Sequence, residues 1–485
     1  MSAAGPESRR WFALALLCAA SFIVILDGTI VLVAVPSIKA DLDLTTTGVQ
    51  WVASGYALAF GGLLLLGGRA ADLLGRRRVL MVGTGIFAAA SLLCGLGWSG
   101  EVLIAGRAVQ GASAAMMMPA ALSLLMATFA DGPERNKALG AWGAVGGIGG
   151  TGGALIGGPL TDLGGWAWIF FINVPVCVGI LALSPALLRE SRVRSGTRTY
   201  DPLGAITVTG ALVMLVLAVV QAPEAGWASA WTIGLLAGAV ALVVLFVLIE
   251  TRSAAPLLPL RIFRSRTLVG GNLAIFTTGM TVHAMMFTLT LYAQQVLGYS
   301  AVQFGLLTAG MTVMAIVGSV AGQHIVTRIG FRPVGVTGLV LLATGCLLLT
   351  DVSADGGLLG FVLAGLLIFG SGLGSAMVAA SVAALAGVAA RESGLASGLT
   401  TMAFHLGGAL GIAVVATVAA ARTRALLIVP GPPVPQLLAL TEGFRSAFGV
   451  AAGFAALGVL VCAALLTRPR PVRAEHLEPA AIAGG

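Results

Sequence analysis

The chain is poor in charge. Only 9% of its 485 residues are Asp, Glu, Lys or Arg, against roughly 25% in an ordinary soluble domain, which excludes a water-solvated surface over most of the molecule. Aromatic residues are scarce as well, at 6%, so side-chain bulk has to come from elsewhere. No Gly-Lys dipeptide occurs, which leaves a phosphate-binding P-loop without its lysine and excludes ATP hydrolysis by that route. Neither G-x-S-x-G nor H-E-x-x-H occurs, so the hydrolase elbow and the zinc-protease helix have no support. Cys18, Cys94, Cys177, Cys346 and Cys462 lie in apolar runs with no C-x-x-C and no Cys/His spacing. They read as packing thiols, and neither a metal nor a cofactor is expected.

What remains is 58% hydrophobic, with 68 glycines and a mean hydropathy of +1.01. The apolar runs continue for about 20 residues, a helical span, whereas barrel strands alternate over about 10. The expected fold is therefore an all-α integral membrane protein, with glycine and alanine letting helices approach closely. Spans are expected near 11–36, 48–68, 79–98, 102–126, 138–160, 168–188, 203–221, 231–251, 267–291, 302–324, 334–350, 358–386, 396–418 and 446–467, fourteen in all. The first run is too long for the roughly 7–15-residue core of a signal peptide and reads as a retained span. A long, partly ordered loop is expected at 419–445 around its prolines.

The net charge of +8 does not point to nucleic acid, because the basic residues are scattered over short loops. Of the 27 lysines and arginines, 22 fall on one side of the fourteen-span topology. The positive-inside rule then makes both termini cytoplasmic, in a multi-pass protein of the cell inner (plasma) membrane.

An internal repeat is visible. "GGRAADLLGRRRVL" after the second span is echoed by "GQHIVTRIGFRPV" after the tenth, and "PERNKALGAWG" by "ARESGLASGLT". The expected organisation is a six-helix half at 1–188, a linker with helices seven and eight at 189–266, a second six-helix half at 267–467, and a cytoplasmic tail at 468–485. Two such halves around a cavity are the architecture of alternating-access transport.

Ionisable groups within spans are costly and are candidates for function. Asp27 lies about sixteen residues into the first span, about 24 Å from its start at 1.5 Å per residue. Arg107 lies at a similar depth in the fourth, which runs the opposite way, so a pair is geometrically possible. Burial and a neighbouring guanidinium act oppositely on the proton affinity of a carboxylate, which makes such a pair a candidate proton-coupling site. His283 and His405 are the other deep titratable groups, each a candidate relay or substrate contact. In the loop after the second span, Gly68, Asp72, Gly75, Arg76 and Arg77 could latch helices together or merely anchor topology. Met116 to Met118 and Phe276, Met280, Met285, Met286 and Phe287 could line an adaptable pocket or pack.

The stretch "GAVGGIGGTGGALIGGP" contains G-x-G-x-x-G, but no strand precedes it and no acidic residue follows about 20 positions on, so a dinucleotide loop is not expected. As a helix it presents Gly146, Gly150, Ala154 and Gly158 in one row and Gly149, Gly153 and Gly157 beside it. These rows form a small-residue face on which another helix can lie almost backbone to backbone.

On these motifs the sequence resembles the major facilitator superfamily, and within it the fourteen-span drug:proton antiporters. "LDGTIVLVAVP" is similar to the first-span signature, with its acidic residue at Asp27 and Leu32 where Asn is usual. "GRAADLLGRRR" resembles the superfamily loop motif, with Leu73 where a basic residue is common. "LIAGRAVQGASAA" resembles the fourth-span motif; it places the arginine implicated in proton transfer on Arg107 and includes Gln110, a further candidate for substrate or proton relay. The glycine stretch resembles the antiporter motif, with Ala154 in place of its proline and Pro159 five residues on. "WAWIFFINVP" and "PLLPLRIFRSRT" extend the likeness through the chain.

The resemblance implies a bundle of two six-helix halves plus two extra helices. It also implies export of lipophilic, often cationic, drugs or antibiotics in exchange for protons. The expected partners are a small-molecule substrate, protons and the lipid bilayer, with no nucleic acid and a monomeric chain. The alternative within the same fold is a dedicated exporter or importer of one metabolite or antibiotic. A membrane enzyme or sensor built on His283 and His405 is a third reading, and it would need polar residues that converge on one face.

Overall fold

The computed structural model describes residues 6–44, 46–130, 132–191, 202–253, 258, 260–353, 359–386, 388, 393–428 and 435–466. Among these there is no strand, and the helices follow the apolar runs in order. They are α1 (Pro6–Asp41), α2 (Thr46–Leu74), α3 (Arg76–Gly95), α4 (Gly100–Thr128), α5 (Pro133–Gly164), α6 (Trp168–Phe171), α7 (Asn173–Leu187), α8 (Pro202–Ala225), α9 (Ala230–Arg252), α10 (Arg266–Gln295), α11 (Ala301–Ile329), α12 (Phe331–Leu348), α13 (Leu359–Ala384), α14 (Ser393–Ile428) and α15 (Gln436–Leu465). Among the described residues, twelve stretches are long and apolar enough to cross a membrane, α6 and α7 together making one of them. The other two expected positions are held by α5 and by α8, whose apolar part is Ile206–Ala222.

Helix ends are set by local chemistry. Ser99, Ser229 and Ser265 accept from the amides of Val102, Thr232 and Leu268, and Ser300 with Gln303 forms a capping box, so amides that lack a partner in the first turn are satisfied. The sixth rod breaks at Ile172. Pro175 has no N–H, and its ring crowds the carbonyl four residues earlier, on Phe171. The expected loop at 419–445 is much shorter, because α14 continues to Ile428 and α15 begins at Gln436. The Ala/Leu-rich "ARTRALLI" carries a helix easily, and residues 429–434 lie outside the described residues. The tail at 468–485 lies outside the described residues.

Two large cores divide the bundle. One gathers Leu17, Ile30, Phe87, Met117 and Phe170 from α1 to α7; the other gathers Ile275, Tyr292, Phe369 and Phe448 from α10 to α15. A third, smaller core joins Leu65 of α2, Val208 and Leu212 of α8, Phe246 of α9 and Leu395 and Leu399 of α14. Thus α8 lies along the seam between the halves, against α2 and α14, and beside it the Trp227 indole donates to Thr417 Oγ1 of α14 at 2.7 Å. α9 packs on α8 and leaves Val240, Val243, Val244 and Leu248 exposed, the outward apolar face expected of a lipid-facing helix.

Candidate functional site

Asp27 of α1 and Arg107 of α4 meet in the middle of the first half, with Arg107 Nη1 2.5 Å from Asp27 Oδ2; the two side chains are 0% and 1% exposed. A buried ion pair needs its remaining bonding capacity filled, and here five rods supply the partners. Gln110 Nε2 and Asn173 Nδ2 donate to Asp27 Oδ1 at 3.1 and 2.7 Å, and both also donate to Ser91 Oγ of α3 at 2.8 and 3.2 Å. Arg107 donates to Val52 O at 3.1 Å and to Gln110 Oε1 at 2.9 Å. Its guanidinium lies 4.3 Å from the Tyr56 ring centroid, a cation–π contact, and Tyr56 Oη in turn donates to Val24 O at 2.9 Å. Asn173 Oδ1 is buried without a partner, an unused acceptor beside the carboxylate.

The loop after α2 forms a second cluster, at the end of the bundle that carries the arginine-rich loops. Asp72 is fully buried and receives Arg76 Nη2 at 3.0 Å, while its other oxygen accepts the Leu395 amide, in the first turn of α14, at 3.0 Å. One carboxylate thus holds an arginine of its own half and the N-terminus of a helix from the other, where the helix dipole favours negative charge. Gly75 has φ +108°, the left-handed region that favours glycine, and caps α3. Glu190 accepts the amides of Arg77 and Arg78 at 3.2 Å each, so α3 begins on a carboxylate as well. Gly68 is buried, with its Cα close to Gly398 of α14. The halves also touch at this end through Asn136 Nδ2, which donates to Thr327 Oγ1 at 3.1 Å.

His283 of α10 and His405 of α14 stand together, with ring centroids 6.2 Å apart. His405 meets the edge of Phe60 of α2 at 4.6 Å, and Phe60 stacks with Tyr56 at 5.9 Å. A string of rings therefore runs from Arg107 in one half to His283 in the other.

Residues 17–412 match the Major Facilitator Superfamily profile. The chain belongs to the major facilitator superfamily. It is 38% identical to a puromycin resistance protein of Streptomyces alboniger, over 95% of this chain and 91% of that one. It is also 38% identical to a cephamycin export protein of Amycolatopsis lactamdurans, over 97% and 96%. The human organic anion transporter MFSD10 superposes with a TM-score of 0.64 at 16% identity, covering 95% of this chain and 100% of that one, a likeness of fold alone. This superfamily member is accordingly a multi-pass membrane transporter that moves small molecules, related to antibiotic and drug exporters.

The transporter's glycine face lies on α5 against α1. A Cβ on Gly153 would sit 2.8 Å from the Ile30 amide nitrogen, so only a glycine permits this approach; Thr29 Oγ1 closes the contact with a 3.2 Å bond to Gly149 O. Gly157 and Gly158 are buried, and the surroundings of Gly146 and Gly150 lie outside the described residues. This face packs the first half internally, while contact with the second half uses Gly140 and Gly143, near Gln323 and Ser319 of α11.

Of the site's members, sequence reasoning named Asp27, Arg107, Gln110, Asp72 and the histidines. It missed Ser91, Tyr56, Asn173 and Glu190. The available signal for Asn173 was an amide side chain inside the apolar "WAWIFFINVP".

Proposed function

We propose that the chain is a proton-coupled antiporter that exports lipophilic drugs or antibiotics by alternating access, in a plasma membrane with both termini cytoplasmic. The observation that carries this reading is the enclosed Asp27–Arg107 pair. No other acidic residue lies deep in a span, and its carboxylate is held by an arginine and two amides that can reorganise when it takes a proton. Neutral Asp27 attracts Arg107 less, which frees the guanidinium to rely on Val52 O, Gln110 and the Tyr56 ring. Because those partners sit on α2 and α4, the charge state of Asp27 biases how α1 packs against them. The halves, 1–188 and 267–467, then rock about the seam that α8 covers. Asp72 holds them together at the basic-loop end while the opposite end is open, and α3 rests on Glu190 through either state.

Asp27 itself is fully enclosed, so in this arrangement it meets a proton rather than a bulky cationic substrate. The test is substrate export from proteoliposomes under an imposed pH gradient. Substrate addition should dissipate the gradient, and a proton uncoupler should abolish accumulation; transport indifferent to the uncoupler would overturn the reading. A second reading, export of one dedicated antibiotic, is favoured by the two 38% relatives, each of which carries a single antibiotic in its name. A resistance panel separates the two, broad for the first and single-compound for the second.

A further inference from the structure

We infer that the space beside His283 and His405 is a recognition site for neutral or anionic hydroxylated aromatic compounds, and that cations are not its ligands. The inference deepens the export reading and rests on it.

The first ground is the distribution of carboxylates. None occurs within α10, α11, α12, α13 or α14. In α15 the acidic residue is Glu442, which is paired with Arg445 at 2.7 Å. On the facing half Asp27 is committed to Arg107, Gln110 and Asn173, and Asp72 to Arg76 and Leu395. Among the described side chains within the spans of the two halves, a cation meets no carboxylate that is not already engaged, and a buried unpaired charge is costly.

The second ground is what the imidazoles offer. His283 Nδ1 lies 3.0 Å from Gly279 O. A carbonyl can only accept, so Nδ1 carries a hydrogen, and in the neutral imidazole Nε2 is then the acceptor. Gly408 of α14 underlies that ring: a Cβ there would lie 2.6 Å from Nδ1, so α14 fixes the imidazole where it stands. His405 makes ring contacts but no hydrogen bond, and both histidines are only partly buried. Neither ring has a nitrogen that is sealed without a partner, so His283 Nε2 and the nitrogens of His405 remain open to a ligand. Together they supply one acceptor and one donor–acceptor pair.

The third ground is the aromatic surroundings. Phe404 stands 5.1 Å from His283 and 5.4 Å from His405, and Phe60 meets His405 at 4.6 Å. An aromatic guest gains ring contacts beside such a cluster. A phenolic hydroxyl can donate to His283 Nε2 while its neighbour, as hydroxyl, phenolate or carbonyl, accepts from His405. A quaternary cation can form neither bond.

The test uses purified full-length protein and two aromatic probes, 1,8-dihydroxyanthraquinone and tetraphenylphosphonium, with binding read by fluorescence quenching. Wild type should bind the dihydroxy compound at least about tenfold more tightly. His283→Phe and His405→Phe, which keep a ring and remove the nitrogens, should each weaken it by about tenfold, the worth of one hydrogen bond. His405→Gln, which keeps a donor and an acceptor, should stay within about threefold of wild type, and that shows the loss is not misfolding. Equal or tighter phosphonium binding by wild type, or unchanged dihydroxy binding in both Phe variants, would overturn the site. Asp27→Asn separates this inference from the proton-coupling reading: retained binding with lost coupled transport supports both. Coupled transport of phosphonium by wild type, insensitive to both Phe variants, would sink the site and leave export intact.

Discussion

Replacing Asp72 with Asn should open the basic-loop end of the transporter. The bonds to Arg76 lie within one half, at i and i+4, and persist whether or not the halves part, so they cancel between the two states. What differs is the bond from Oδ2 to the Leu395 amide at 3.0 Å, together with the favourable field at the start of α14. A hydrogen bond to a charged acceptor contributes about 1.5–3 kcal/mol. The Asn carbonyl can still accept and recovers about 0.5–1 kcal/mol of it, so the closed state loses about 1–2 kcal/mol. At 1.36 kcal/mol per tenfold, that shifts the population about five- to thirtyfold. The readout is oxidative crosslinking of Asn136→Cys with Thr327→Cys in a background lacking the five native cysteines, since these side chains touch at 3.1 Å in the closed arrangement. Asp72→Asn should slow crosslinking about five- to thirtyfold, and Arg77→Gln, whose partners Leu188 and Glu190 follow α7 and not the second half, should leave it unchanged. An unaltered rate in folded Asp72→Asn protein would show that this carboxylate does not hold the halves together.

Three further outcomes are expected. Gly153→Leu must push a side chain into Thr29 and the Ile30 backbone; overpacking of this kind costs about 1–3 kcal/mol or more, seen as a lower melting temperature in detergent with transport lost. Asn173→Leu removes the donors to Asp27 and Ser91 and should reduce proton-driven transport at least about tenfold, whereas Ser184→Ala on the same helix, which breaks only a bond to Ile180 O, should not. Trp227→Phe loses the bond to Thr417 and should cost about 1 kcal/mol in thermal stability while leaving the proton dependence of export unchanged.

The bundle was legible because membrane solvation writes itself into long apolar runs, and each expected span coincides with a helix or, for the sixth, with the α6–α7 pair. What escaped was finer. The break at Ile172 depends on one proline, and the extension of α14 to Ile428 depends on how far helix formers run towards a proline-rich stretch. In the site, Asp27 and Arg107 announced themselves because charge is rare at that depth. Ser91, Tyr56 and Asn173 did not, because uncharged polar side chains are common in helices and only the packing of five rods shows which of them converge. The histidines read as isolated for the same reason: α10 and α14 are far apart in sequence, and only their packing brings the rings within 6.2 Å. The glycine stretch lies in α5, and Gly149 and Gly153 meet α1, a partner that the spacing does not encode.

In the proposed cycle Asp27 carries the coupled proton. The most direct test of this is Asp27→Asn protein in proteoliposomes, assayed both for substrate exchange without a gradient and for accumulation driven by a pH gradient. Exchange should persist while gradient-driven accumulation and substrate-induced proton movement are lost. Gradient-driven accumulation equal to that of wild type would contradict it.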